Sequence, residues 1–330
     1  MVHLGLDIGY GQTKLAWSSN YAQPVAEVHP SGAAPIERCD RMAGGQVGDT
    51  ALGYGEEVIV GNRRFGSLID PDRIQNGMQV LHQDYAGTPE YMALYYGALA
   101  RVGSNVIDHL VTGLPVAQCK DKERARYVKS LLLGRHNVRE GFSVSVNQVT
   151  IVPQAVGAYY AFQDRRIAAQ PQHDTLLVVD FGHFSVDWVL ISGRSFRDSS
   201  SNSCAQGGSY VIDRMVSLIK AKHGIAVGRE RIYGYVREGL KAVHLGTEEV
   251  DLHAIGHAAA AEVAPTVVGQ IRASLRDQST DVNRVLLCGG STPFFEAAMR
   301  DAFPKAVYEL APMPVLANAI GFRLFAKKSG

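Results

Sequence analysis

One pattern occurs twice in this chain and limits its fold more than any other. An apolar strand ends on an aspartate, a glycine turn follows, and a second strand returns. The first copy runs Leu4–Ala16, with Asp7 ahead of Gly9-Tyr10-Gly11, and the second runs Leu177–Leu190, with Asp180 ahead of Gly182. Period-two apolar runs around a glycine turn are hairpin signals. Each copy then continues into helices and further strands, so the chain reads as two similar α/β domains facing each other across a cleft. Its 330 residues suit that number, at roughly 100–200 residues per domain. The expected partition is residues 1–160 with 312–330 as one domain and 161–311 as the other.

Between the two copies the periodicity changes several times. Ser18–Gly66 is glycine-rich and reads as short strands and loops. Tyr91–Arg101 has an apolar helical period. Val106–Leu114 reads as one buried strand, Asp121–Leu133 as a helix stopped by Gly134, and Ser143–Val152 as one alternating strand. Pro153 opens a helix whose small face carries Ala155, Ala158 and Ala161. A second section begins near Gln170. It contains strands at Leu176–Asp180, Val186–Ile191 and Val285–Leu287, and helices at Ser209–Lys222, His253–Arg276 and Ala317–Ala326.

Three of the glycine turns carry the chemistry. Tight turns at Gly9 and Gly11 let backbone N–H groups approach phosphate oxygens, and Lys14 adds a positive charge. Asp7, at the strand end, can hold Mg²⁺ through water, because that ion keeps much of its hydration. The P-loop pattern of phosphate sites is absent. Val179–Asp187 repeats the arrangement with Asp180, Gly182 and Ser185. Leu286–Pro293 ends a buried strand on Gly289-Gly290, where a flat ring or a ribose can come close.

The order and spacing of these motifs resemble the actin/Hsp70/sugar-kinase superfamily, whose fold is actin-like (ribonuclease H-like). Residues 5–14 resemble its first phosphate motif, 178–188 the second and 286–294 the adenosine motif. Val152–Ala158 and Ala317–Gly321 are similar to its two connecting helices, so the match spans nearly the whole chain. Within the superfamily, Val111–Pro115 with the charged helix after it, Val149–Gln154 and Val179–Trp188 resemble bacterial plasmid-segregation proteins of the ParM/StbA type.

The resemblance implies roles for particular residues. Asp7 and Asp180 would hold Mg²⁺ through water. Gly9, Tyr10, Gly11, Gln12 and Lys14 would contact the β- and γ-phosphates of ATP or GTP. Gly182, His183 and Phe184 would do so through backbone. Gln154 would orient a water for in-line attack on the γ-phosphate, since an amide is no base at neutral pH. Gly207 and Gly208, with Gly289, Gly290, Ser291 and Phe294, would line the rest of the nucleotide site. Tyr10, His183 and Phe184 are bulkier than the usual residues of these turns, so their side chains must point away from the phosphates.

The function implied is a filament-forming ATPase that segregates plasmids or other genetic elements, through contacts to itself and to a DNA-binding adaptor. A small-molecule kinase, with Asp187 as its base, and a non-polymerising ATP-binding scaffold are the competing readings. With 33 Lys+Arg against 32 Asp+Glu there is no global basic field, which disfavours direct binding of nucleic acid. Cys39, Cys119, Cys204 and Cys288 lack metal-type spacing and point to the reducing cytoplasm. No apolar run is long enough to span a bilayer, so no membrane partner is expected. The basic helix from Lys120 to Lys129, the tyrosines at 91, 95 and 96, and Lys220 with Lys222 read as a solvated face, core packing and helix-end charges.

Overall fold

The computed structural model describes residues 1–18, 23–40, 55–75, 84–165, 174–193, 195–275 and 281–329. Parts of the Ser18–Gly66 segment, the section start near Gln170 and the helix end at Arg276 lie outside these residues. The chain forms two compact units, Met1–Ile167 with Ala311–Gly330, and Ala168–Leu310. Each has its own apolar core. Among the described residues no helix is long and apolar enough to cross a membrane.

The first unit is built on a five-stranded sheet in the order Val149–Pro153, His109–Leu114, His3–Ile8, Gln12–Ser18, Val25–Pro30. His3–Ile8 pairs antiparallel with Gln12–Ser18 and parallel with His109–Leu114. All six of its residues are buried, as a central strand covered on both faces requires. One face packs on helix Pro89–Val102, where Tyr91, Leu94, Tyr95 and Leu99 meet Leu4, Leu6 and Ile8. That helix starts at Thr88, whose side chain accepts the Tyr91 N–H, and ends at Gly103 in the left-handed region. The tyrosines are therefore core residues; the Tyr95 hydroxyl donates to the Leu132 carbonyl at 2.7 Å.

The opposite face carries helices Gln154–Arg165 and Ala317–Lys328. They cross where Gly157 meets Gly321. A Cβ on Gly321 would overlap the Gly157 carbonyl oxygen, and one on Gly157 would lie 2.6 Å from the Asn318 carbonyl oxygen. Asn318 fastens the crossing, accepting the Ala158 N–H on its side chain at 3.0 Å. Ala155, Ala158 and Ala161 form the buried small face expected of the first of these helices.

Two single-strand expectations divide in the structure. Val106–Leu114 becomes Val106–Ile107 and His109–Leu114, and Ser143–Val152 becomes Phe142–Val146 and Val149–Pro153. The earlier piece of each belongs to a separate three-stranded sheet with Gly134–Arg139, and the later piece to the main sheet. Alternation persists through both bends, so periodicity alone does not expose them. Asp121 caps helix Lys122–Leu132 through the Glu123 and Arg124 N–H groups. A short helix, Val116–Lys120, precedes it and carried no distinct sequence signal.

The second unit repeats the central motif. Its main sheet runs Ser195–Phe196, Val186–Ser192, Thr175–Phe181, Arg284–Cys288, Val307–Leu310, with Asn202–Cys204 added to Val186–Ser192. Thr175–Phe181 is fully buried, antiparallel to its hairpin partner and parallel to Arg284–Cys288, as His3–Ile8 is to its neighbours. Helices Gly208–His223, Leu252–Leu275 and Thr292–Ala302 supply apolar faces to its core. Lys220 and Lys222 sit exposed in the last turn before the left-handed cap Gly224, where positive charge meets the helix dipole.

His109 and His136 are buried in the first unit. A neutral His109 ring satisfies both neighbours, donating from Nδ1 to the Ala326 carbonyl at 3.2 Å and accepting at Nε2 from the Thr150 hydroxyl at 2.9 Å. Burial holds the pKa of both imidazoles below the ordinary 6.5.

Two predictions follow from this packing. Gly321→Ala should destabilise the chain by about 3 kcal/mol in urea unfolding, since overlap with backbone cannot be relieved by a rotamer. Gly269→Ala, at an open and exposed helical position, should stabilise it by about 1 kcal/mol. For the histidines, the unfolded chain takes up protons more readily than the folded one. The stability they contribute is present above pH 6.5 and lost as pH falls through their depressed folded values. Urea midpoints measured across this range should drop on acidification, and His109→Gln should flatten the drop.

Candidate functional site

In the first unit, Asp7 and Lys14 face each other across the hairpin ladder. Asp7 is 3% exposed, and its carboxylate receives Lys14 Nζ at 3.1 Å and the Gln154 side-chain amide at 3.3 Å. A buried charge requires such partners. Burial, and then the nearby Asp7 charge, hold the Tyr91 phenol well above its ordinary pKa. Asp7, Lys14 and Gln154, separated widely in sequence, are thus brought to one place beside Gly9.

The turn is closed by the Gly9 N–H, which donates to the Gln12 carbonyl at 3.1 Å. Ser31 props it from outside. Its hydroxyl donates to the Gly9 carbonyl at 2.6 Å and its N–H to the Gly11 carbonyl at 3.2 Å, while Thr13 shares a 2.8 Å hydrogen bond with its hydroxyl. In a planar trans peptide the N–H lies opposite the C=O. Tying back the Gly9 carbonyl therefore turns the Tyr10 N–H to the other side. The Tyr10 ring stacks on Tyr85 at 4.6 Å, and Tyr85 meets Tyr91 edge-on at 5.6 Å. Its bulk is taken up by the core-side aromatic stack.

In the second unit, the Gly182 N–H donates to the Ser185 carbonyl at 3.0 Å, the same closure as at Gly9. Here the prop is the start of a helix. Gly207, Gly208 and Ser209 donate their N–H groups to the carbonyls of Phe184, Gly182 and His183 at 2.9, 3.0 and 2.7 Å. The N–H groups of His183 and Phe184 are thereby turned to the opposite side. Gly207 and Gly208 thus act on the turn itself, a role their helix-start position did not specify. The His183 ring rests on Tyr233 at 4.1 Å.

Asp180 is 7% exposed and borders Gly289. Gly289 has φ +89°, and a Cβ there would overlap the Asp180 carboxylate and the Phe181 carbonyl. No other residue fits this position without strain. Ser291 follows, donating its N–H to the Phe181 carbonyl at 2.9 Å. Asp180, Gly182, His183, Phe184, Gly207, Gly208, Gly289 and Ser291 therefore form one cluster. Gly290 is exposed beside it, and Phe294 packs on the unit's core near Gly256. Asp187 is 1% exposed and accepts the Ser185 hydroxyl at 2.7 Å, so it braces the turn.

Ser31 and Tyr85 lie in no sequence pattern, and Ser209 and Asn318 lie in segments whose pattern does not specify their contacts. Each acts across a long sequence separation.

Two family models match the sequence in tandem. The N-terminal domain of actin-like proteins matches residues 5–157, and the C-terminal domain of archaeal MreB-like actin homologues matches residues 178–301. The chain belongs to the actin-like proteins. A search of curated proteins returns no match. Among solved structures, this actin-like chain is similar to the archaeal actin homologue Ta0583 in complex with ADP, with 20% identity, TM-score 0.73, and coverage of 99% of this chain and 100% of that one. It is similar to the ParM of a 15-stranded filament from Clostridium botulinum, with 17% identity, TM-score 0.77 and coverage of 99% of both chains. The actin-like protein Alp7A matches at 15% identity and TM-score 0.74, covering 99% of this chain and 96% of that one. The actin-like fold expected from the sequence is borne out.

Ser31→Ala should leave the Gly9 carbonyl without its hydroxyl donor. The expected cost is about 1 kcal/mol in urea unfolding, with the fold otherwise intact by circular dichroism.

Proposed function

We propose that this actin-like protein is a cytoplasmic, nucleotide-dependent ATPase that assembles into filaments and segregates plasmids or related genetic elements, in the manner of the ParM/StbA type. The observation that carries the reading is the duplicated turn. In each unit a buried aspartate precedes a glycine turn whose carbonyls are tied back, so that backbone N–H groups are directed elsewhere. N–H groups so directed suit the oxygens of a polyphosphate. The ADP complex of the archaeal homologue and the filament of the clostridial ParM support the nucleotide and the assembly respectively.

In this reading the Tyr10, His183 and Phe184 N–H groups hold phosphate oxygens, and Lys14 supplies a positive charge. Asp7 and Asp180 are hard oxygen donors at buried strand ends, a donor set that fits Mg²⁺ held through water. Mg²⁺, when bound, would offset charge on the phosphates. Gln154 uses its amide N–H on Asp7, which leaves its amide oxygen to orient an attacking water. Gly289, with Gly290 and Ser291, admits the nucleoside. Asp187 is occupied in bracing its turn, so the kinase reading loses its candidate base.

Identical subunits joined head-to-tail by contacts that do not close a ring make a filament. A separate DNA-binding adaptor would link it to its cargo, in keeping with a net charge of +1. Ultracentrifugation with ATP, with ADP and without nucleotide tests assembly, with phosphate release followed alongside. A pellet that requires ATP is expected, and its absence at every concentration would overturn the filament reading. Asp180→Asn should lower phosphate release by at least about a hundredfold while retaining the fold; unchanged turnover would remove Asp180 from the site. ADP formation that requires an added sugar or acid, with the phosphoryl group carried to it rather than released, would favour a kinase, and nucleotide binding without turnover would favour a scaffold.

A further inference from the structure

His253 and His257 stand one turn apart on helix Leu252–Leu275, both exposed, with Nε2 atoms 3.1 Å apart and rings 4.4 Å centre to centre. We propose that this pair is a two-imidazole site for a divalent transition ion of the zinc, nickel and copper class. Imidazole suits these ions, and histidines at i and i+4 on one helix face are a recurrent way of presenting two nitrogens to them. The separation agrees with a shared ion. Two metal–nitrogen bonds of about 2.05 Å spanning 3.1 Å enclose about 98°, between the octahedral and tetrahedral angles.

The helix holds the pair in place. Asp251 accepts the Ala254 N–H at 2.9 Å and the His253 N–H donates to the Lys241 carbonyl at 3.0 Å, which fixes the first turn. Leu252, Ile255 and Ala259 bury the opposite face. Without metal, one neutral ring donates to the other. On binding, that ring moves its proton to Nδ1, and both Nε2 lone pairs become ligands with no net proton released. The helix N-terminus opposes a cation, and the Asp251 carboxylate beside it offsets part of this.

Among the described residues no group of three or more His, Cys, Asp or Glu is placed to hold a metal, so water would complete the coordination sphere. Residue 254 is alanine, so the pair lacks the glutamate base of a zinc hydrolase motif, and the site binds without hydrolysing. It is separate from the Mg²⁺ assignment, which uses carboxylates and does not depend on these histidines.

The test is calorimetric titration of the full, tag-free chain with zinc chloride and, separately, magnesium chloride. Zinc should saturate with micromolar affinity and raise the melting temperature. His257→Ala should weaken it by at least about tenfold. Magnesium should bind identically in parent and variant. Both histidines are exposed, so variants should match the parent's circular dichroism and metal-free melting temperature. No saturable zinc binding, or a His253→Ala/His257→Ala double variant that binds zinc as tightly as the parent, would overturn the assignment.

Discussion

A trans peptide presents its N–H opposite its C=O, and both hairpin turns are organised by that constraint. A supporting segment takes up the turn carbonyls, and the geometry of the peptide plane does the rest. In the first unit the support is one side chain and one backbone group of Ser31. In the second it is three successive N–H groups of a helix start, Gly207 to Ser209. Different parts of the chain thus meet the same requirement, and the aspartate two residues before each turn glycine is carried to an equivalent place.

The buried carboxylates follow from the same construction. Each ends a strand that is covered on both faces, so its charge must be met locally. Asp7 meets it with Lys14 from the returning strand and Gln154 from a helix start. Gln154 is positioned because its helix crosses Ala317–Lys328 at Gly157 and Gly321, a closeness that side chains would prevent. The glycines of the two connecting motifs therefore serve helix packing, and through it the placement of an amide on Asp7. Tyr10 conforms for a related reason: Tyr85 and Tyr91 offer its ring an aromatic stack.

Local chemistry was enough to read several parts of this protein. The two Asp-x-Gly hairpins, the apolar helix expected over Tyr91–Arg101 and found at Pro89–Val102, and the strand that ends at Gly289 all rest on periodicity and turn residues within a short window. The candidate phosphate and metal residues Asp7, Lys14 and Asp180 follow from the chemistry of the two turns, and the water-orienting role of Gln154 from the family resemblance. The tertiary structure decided what no window contains. It broke Val106–Leu114 and Ser143–Val152 and sent their halves to different sheets, because partner strands, not alternation, determine where a strand bends. It recruited Ser31 to Gly9 and Asn318 to Ala158 across 22 and 160 positions. It also gave Gly207 and Gly208 their place beneath the second turn. A hydrogen-bond donor becomes a prop only when folding brings it within about 3 Å of a carbonyl, and that distance belongs to the packed chain.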